Sequence, residues 1–253
     1  MALTGMSFLG HATVLIELNG LRILTDPILG QHLTFLTRIA PRPDSADARD
    51  IDLVLISHLH LDHLDRRSLT RVGLEVPLVI GTGGADLVRR WGHDQVIELG
   101  VGDRWRIGGV SVQATPAVHS GDRPPRGPAG TAVGYLLETS RTRLYFAGDT
   151  DLFPEMADMG KAGIDTALLP IAGWGPRLGP GHMNPTRAVD AVGLLQARQV
   201  FPIHWGTLWP AGMHLVTGNR LTRPAEAFAA ELTEREPAVQ RLVALPGERV
   251  PLR

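Results

Sequence analysis

Cysteine is absent from this chain of 253 residues. That excludes a disulfide framework and thiolate zinc sites, so any metal must be held by nitrogen and oxygen. Lysine is nearly absent as well, Lys161 being the only one. With arginine carrying the remaining positive charge, the imbalance reads as a compositional bias and not as a phosphate-binding surface. No excess of either charge sign is present, because the formal net charge is −1; a nucleic-acid footprint and an acidic tail are both excluded. No apolar run reaches the length of a transmembrane helix. The opening MALTGMSFLGHATVLIEL lacks a basic segment ahead of an unbroken apolar core, so no secretory signal is read and a cytoplasmic protein is expected. What is present is 43% apolar residues in a chain near the upper size for one domain, enough for a large core. With no internal repeat and no composition break, residues 1–253 are expected to form a single domain.

The chemistry gathers between Ile51 and Asp65, reading IDLVLISHLHLDHLD. Its first half is a short apolar run rich in branched residues, as in a strand buried on both faces. The run then gives way to His58, His60, Asp62 and His63, where a strand would leave its sheet. Two imidazoles one residue apart point the same way in an extended chain. Asp62 and His63 need a turn before they can aim at a neighbouring point. A polar loop can carry histidine without binding anything. Three His and one Asp so closely spaced, with Leu59 and Leu61 to anchor the loop, instead favour two adjacent metal positions.

Around this stretch the chain reads as strands, with helices late in each half. Ser7 to Leu18 and Leu21 to Thr25 form a hairpin closed by Asn19-Gly20, and Asp26-Pro27 stops its second strand. Residues 28–50 make a long irregular connection, a functional loop or lid if not a disordered segment. Strands are expected at Pro77–Gly81, Gln95–Leu99, Arg104–Ile107, Val110–Thr115, Gly134–Glu138, Arg143–Ala147, Ile164–Pro170, Gln199–Ile203 and near Leu242–Leu245. Helices are expected at Ala85–Trp91, from Asn184-Pro185 with Asn as the cap, and at Pro224–Arg235. Gly121 to Gly130 is a mobile loop. Three further candidates stand just beyond strands: His119, Asp149 and His204. A lone His there is usually structural, and Asp149 could simply cap a helix. Their shared position at strand exits, where open α/β sheets gather ligand groups, favours convergence.

His58, His60, Asp62 and His63 in the pattern H-x-H-x-D-H, followed by His119, Asp149 and His204, resemble the metallo-β-lactamase superfamily. More narrowly they resemble its branch of N-acyl-phosphatidylethanolamine phospholipase D and ascorbate-6-phosphate lactonase-like proteins. The supporting stretches are Gly10-His11-Ala12-Thr13, Leu24-Thr25-Asp26-Pro27, Gly148-Asp149-Thr150-Asp151, His182-Met183-Asn184-Pro185 and His204-Trp205-Gly206-Thr207. The resemblance implies an α/β fold, a four-layer αββα sandwich with metals along one edge. It assigns His58, His60 and His119 to one metal, Asp62, His63 and His204 to the other, and Asp149 to a bridge. It further implies a hydroxide shared by the two ions, with Asp62 orienting it and moving a proton to the leaving group. The donors suit two zinc ions and also admit manganese or iron. His182 is read as a substrate or leaving-group contact. His11 is a supporting residue, a substrate contact or a satisfied core histidine.

His32, His93 and His214 lack such context and are read as surface or loop residues. Trp174, Trp205 and Trp209 could wall a substrate pocket, Trp174 foremost, although core packing is the commoner role. The expected activity is cleavage of a phosphodiester or related ester, as in a phospholipase D. The alternatives are a lactonase acting on a sugar-acid lactone, with or without a phosphate, and a metal-binding sensor without turnover. A lipid substrate calls for an apolar surface, for which Leu33, Phe35, Leu36 and Ile39 are candidates. A phosphorylated lactone calls for a basic pocket, for which Arg123, Arg126 and Arg177 are candidates. The expected partners are a small-molecule or lipid substrate and no nucleic acid; peripheral membrane contact and a homo-oligomer are left open.

Overall fold

Runs of branched residues bounded by turn formers become the strands of the computed structural model, which describes residues 3–125, 127–175, 178–213 and 221–250. Leu3–Gly10 (β1) and Thr13–Leu18 (β2) pair as an antiparallel hairpin, and β2 turns at Asn19-Gly20 into Leu21–Thr25 (β3). The strand expected from Ser7 to Leu18 is thus two strands. Gly10 (φ +108°) and His11 (φ +58°) fold the chain back. Only glycine serves at position 10, because a Cβ would lie 2.7 Å from the Arg38 guanidinium and from the Thr207 methyl.

Residues 28–50 are less irregular than expected. They hold a small hairpin, His32–Leu33 (β4) and Leu36–Arg38 (β5), and a 3-10 helix at Ser45–Ala48 capped by Asp44. Strands of two and three residues carry no periodic signal. Leu53–Ile56 (β6) leads into the histidine loop, and Arg66–Val72 (α1) follows, its Ser68 N–H bonded to the Asp65 carboxylate. Sequence reading passes over this helix, since two turns are too short to show an apolar stripe. Leu78–Gly81 (β7), Ala85–Arg89 (α2), Val96–Leu99 (β8), Arg104–Ile107 (β9), Val110–Pro116 (β10), Val133–Glu138 (β11) and Arg143–Phe146 (β12) come next, close to their expected bounds. Glu155–Lys161 (α3), Ile164–Pro170 (β13), Pro185–Leu195 (α4), Ala197–Ile203 (β14), Leu208–Pro210 (β15) and Arg223–Arg235 (α5) follow. The last expected strand is displaced. Gln240–Arg241 (β16) ends its ladder before Leu242, and Glu248–Val250 (β17) joins the other sheet. His32 is exposed as expected, His93 is a loop residue but buried, and His214 lies outside the described residues.

Two seven-stranded sheets result, β17-β1-β2-β3-β6-β7-β8 and β16-β14-β13-β12-β11-β10-β9, with a third of order β15-β5-β4. Alternate residues of one strand enter different cores. Val14, Ile16, Leu53 and Leu55 join Val112, Tyr135 and Leu144 of the second sheet, whereas Leu15, Val54 and Ile56 join Leu69 of α1 and Val88 of α2. Val189 and Val192 of α4 and Phe228 of α5 belong to the core of the second sheet. The layers are therefore αββα. Among the described residues no helix is long and apolar enough to cross a membrane.

Strand direction decides what gathers at the edge. β3 and β6 run parallel, so Asp26 and the His58 loop emerge together. β12, β13 and β14 also run parallel, which sends Asp149, Trp174 and His204 to a common edge, and β10 points the same way through two antiparallel steps. At this edge the Tyr135 hydroxyl of the second sheet donates to Ile56 O of the first at 2.7 Å, just before His58. Tyr135→Phe removes that bond between the sheets and should destabilise the protein by about 0.5–1.5 kcal/mol. Urea unfolding should show a lower midpoint at unchanged m-value; an unchanged midpoint would mean the sheets are not coupled there.

Candidate metal centre

The seven predicted ligand side chains converge. Donor atoms of His58, His60 and His119 lie within 4.8 Å of one another, and so do those of His11, Asp62, His63 and His204. Asp149 lies between the groups. Its Oδ2 is 3.2 Å from Nε2 of both His63 and His204, 3.3 Å from that of His182 and 3.9 Å from that of His119. Asp149 caps no helix, since α3 begins six residues later at Glu155 without a side-chain cap. Two glycines permit the approach. A Cβ on Gly148 would stand 2.5 Å from Ser57 Cβ, and one on Gly181 would stand 2.9 Å from His119 Nδ1.

Hydrogen bonds at the outer nitrogens fix the tautomers. Carbonyls and carboxylates only accept, so each imidazole facing one donates its Nδ1–H. His63 donates to Asp26 Oδ2 (2.7 Å), His119 to Gly181 O (2.9 Å) and His204 to Ala172 O (2.8 Å). The Ser57 hydroxyl donates to Asp26 Oδ2 (2.6 Å), which leaves its oxygen to accept from His58 Nδ1 (2.9 Å). The inner nitrogens then meet with no hydrogen assigned to them. His63 Nε2 and His204 Nε2 are 3.1 Å apart, as are His119 Nε2 and His60 Nδ1. His58 Nε2 and Asp149 Oδ1 are buried without any partner. Facing lone pairs repel unless a proton or a metal cation lies between them, and imidazole and carboxylate donors without sulfur suit a hard or borderline divalent ion.

Protonation divides the centre. Burial opposes charge on every imidazole here. It holds His58 well below the ordinary histidine range, His119 at about 4 and His11 at about 3, so these rings are neutral. At His63 and His204 burial is outweighed, first by Asp149 and then by further carboxylate contacts. His63 rises well above its usual value and His204 to about 9. Burial likewise works against charge on Asp62 and Asp149, but the surrounding imidazoles hold both well below the usual carboxylate range. Without an ion, protons at His63 and His204 stand where a cation would.

Two residues beyond the seven ligand candidates, Asp26 and His11, complete the frame. Asp26 is fully buried and takes His63 Nδ1–H and both donors of Ser57. In the sequence Asp26 stands out as a strand stop before Pro27 and within the Leu24-Thr25-Asp26-Pro27 stretch that carries the resemblance, and neither signal gives its role. His11 is buried and does not line the cavity beside the cluster; its Nε2 meets Asp62 Oδ2 at 2.9 Å, the supporting position of its three readings. His182 turns Nε2 to Asp149 while its Nδ1 faces Gly179 O and Pro180 O. A cavity of about 200 Å³ opens beside the cluster, lined by Phe35, Leu36, Leu61, Trp174 and His182 with His60, Asp62 and Asp149. Trp205 is a core residue stacked on Phe8, and Trp209 lines a different cavity. Arg123 is engaged elsewhere, donating to Leu59 O and Leu64 O and lying over Trp91; Arg126 and Arg177 fall outside the described residues.

Asp26→Asn removes the charged acceptor behind His63. Zinc affinity, read by chelator competition, should fall about 10–100-fold with the fold retained. Unchanged affinity would show that Asp26 does not orient the ring.

Comparisons with known proteins identify the family. The family profile described as a Beta-lactamase superfamily domain matches residues 21–205. A metal-dependent hydrolase of Methanopyrus kandleri is 31% identical, covering 96% of this chain and 97% of its own. N-acyl-phosphatidylethanolamine-hydrolyzing phospholipase D 1 of Caenorhabditis elegans is 31% identical over 81% of this chain and 64% of its own. Among solved structures, a metallo hydrolase of Ignicoccus hospitalis shares the fold, with a TM-score of 0.77 at 24% identity over 100% of this chain and 99% of that one. The chain belongs to the metallo-β-lactamase superfamily, among its metal-dependent hydrolases.

Proposed function

We propose that this hydrolase is binuclear and cleaves a phosphodiester or a related ester. The observation that carries the reading is the facing set of inner nitrogens, with His58 Nε2 and Asp149 Oδ1 left without a partner and Asp149 between its two halves. His58, His60 and His119 would hold one ion, Asp62, His63 and His204 the other, and Asp149 both; zinc fits these donors, as do manganese and iron. Divalent ions held by these residues would supply a nucleophile at neutral pH and stabilise the charge that develops on the reacting group. The side chains do the rest. Asp62, fixed through Oδ2 by His11, is placed to carry a proton toward the leaving group. His182 lines the cavity with Nε2 turned inward, where it can meet the departing oxygen.

The cavity wall supports an apolar substrate group beside the reacting bond. No arginine or lysine lines it among the described residues, so a phosphorylated lactone finds no counter-charge among them. The name of the Caenorhabditis elegans relative supports the phosphodiester reading.

A hydrolysis screen of metal-replete protein tests the reaction, setting bis-aryl phosphodiesters and N-acyl phospholipids against lactones. Turnover of lactones alone would reject it. Metal analysis should find close to two ions per chain, and Asp149→Ala should lower turnover by more than the about 100-fold typical of an orienting residue. Retained activity would remove Asp149 from the centre. Zinc uptake near neutral pH should release protons, because His204 (pKa about 9) must give up its proton to coordinate. Apparent affinity therefore rises with pH up to about 9. Calorimetry in buffers of different ionisation enthalpy counts the protons, and a count of zero would contradict the protonated pair.

A further inference from the structure

Trp174 touches both the centre and the cavity wall. Its indole N–H, which has no acceptor capacity, donates to Asp62 Oδ2 at 3.0 Å. His11 Nε2 meets the same oxygen at 2.9 Å, so two neighbours from different connections, β1–β2 and β13–α4, pin one side of the carboxylate. The Trp174 ring packs on Ile28, Leu33, Leu36 and Leu208. It also meets Phe35 edge to face, with centroids 5.1 Å apart and planes at 71°. Phe35 sits in the two-residue turn between β4 and β5 and is 52% exposed. An aromatic ring so exposed beside a reactive cluster is available to something other than the core. The cavity it borders, about 200 Å³, is smaller than the roughly 300–1,000 Å³ that encloses a whole small ligand. It can take only part of a substrate, and the rest must pass over the Phe35 turn.

We propose that Trp174 has two separable tasks: its N–H holds Asp62 in orientation, and its ring forms with Phe35 a ledge for an alkyl or acyl group next to the cleaved bond. This rests on the ester-hydrolysis reading for its substrate class, while the positioning half stands on the hydrogen bond alone. Trp174 is a positioning residue through its nitrogen and a specificity residue through its carbon face. Phe35 serves specificity only.

Two variants separate the tasks. Trp174→Phe keeps an aromatic wall and loses the N–H; Phe35→Ala loses the outer ledge and keeps the N–H. The visible absorption of Co²⁺-loaded protein reports geometry at the ion that Asp62 reaches. It should change in Trp174→Phe and stay as in the wild type in Phe35→Ala. Calorimetry with methylphosphonate and hexylphosphonate on zinc-loaded protein reports the ledge without turnover. The wild type should bind the hexyl compound at least about 10-fold more tightly, as burial of two methylenes yields. Trp174→Phe should keep most of that preference and Phe35→Ala should lose it. An unchanged Co²⁺ spectrum in Trp174→Phe would overturn the positioning task. Equal affinity for the two phosphonates in the wild type, or a preference that survives Phe35→Ala, would overturn the ledge. Failure of the wild type to cleave any phosphodiester would count against the reaction alone, since both readouts are independent of turnover.

Discussion

Convergent lone pairs in a dry place set the terms for this molecule. His11, His58, Asp62, His63, Asp149 and His204 are each at most 7% exposed, yet their nitrogen and oxygen atoms crowd one small volume. Buried carboxylates must be paired, and facing imidazole nitrogens repel unless something positive lies between them. Protons on His63 and His204 meet that demand in part; divalent cations meet it with more charge and with directed bonds. On the proposed ligand assignment proton and metal would compete for one position, and the carboxylates that raise the pKa of His204 are the groups that would favour a cation there.

The backbone prepares the centre before any ion arrives. Three imidazoles are turned by acceptors in the connections beyond strands: His63 by Asp26 after β3, and His204 and His119 by Ala172 and Gly181 in the connection from β13 to α4. Parallel neighbours bring those exits to one edge, so orienting group and oriented ring arrive together. Three residues there hold positive φ without being glycine: His11 (+58°), Asp26 (+32°) and His204 (+63°). Such conformations cost on the order of 1–3 kcal/mol each. They are offset locally, by His204 N–H on His11 O (2.8 Å) and Asp26 N–H on Leu55 O (2.9 Å). Strain is thus concentrated where side chains must be aimed.

How much of this was legible in the sequence follows from the range of the signals involved. Strands such as Val110–Pro116 and Ile164–Pro170 announce themselves by local branched runs, and the His58 loop by an improbable density of ligand types. His119, Asp149 and His204 were legible because each stands at the end of such a run. The break at Gly10-His11 was not, since its cause is the Arg38 guanidinium and the Thr207 side chain, 28 and 197 residues away in the chain. Asp26 looked like a strand stop because its partners Ser57 and His63 are distant in sequence. The β4–β5 hairpin and α1 escaped because elements this short have no period to read.

The substrate wall and the centre share one frame. β5 pairs with β15, which follows His204 directly, in the register Leu208↔Arg38 and Pro210↔Leu36. Arg38 is buried without a carboxylate partner among the described residues, and its guanidinium donates to Leu9 O, Gly30 O and Ile28 O. That ties the hairpin to the end of β1, one residue before Gly10-His11. Thr207 closes the circuit, accepting from His11 N–H through its hydroxyl while its carbonyl accepts from Ile39 N–H. The hairpin bearing Phe35 is therefore anchored to the residues that hold Asp62 and is no free lid. Only the Thr34-Phe35 tip stands clear of these bonds through its side chains, so substrate preference can vary there while the geometry of the centre stays where the sheets put it.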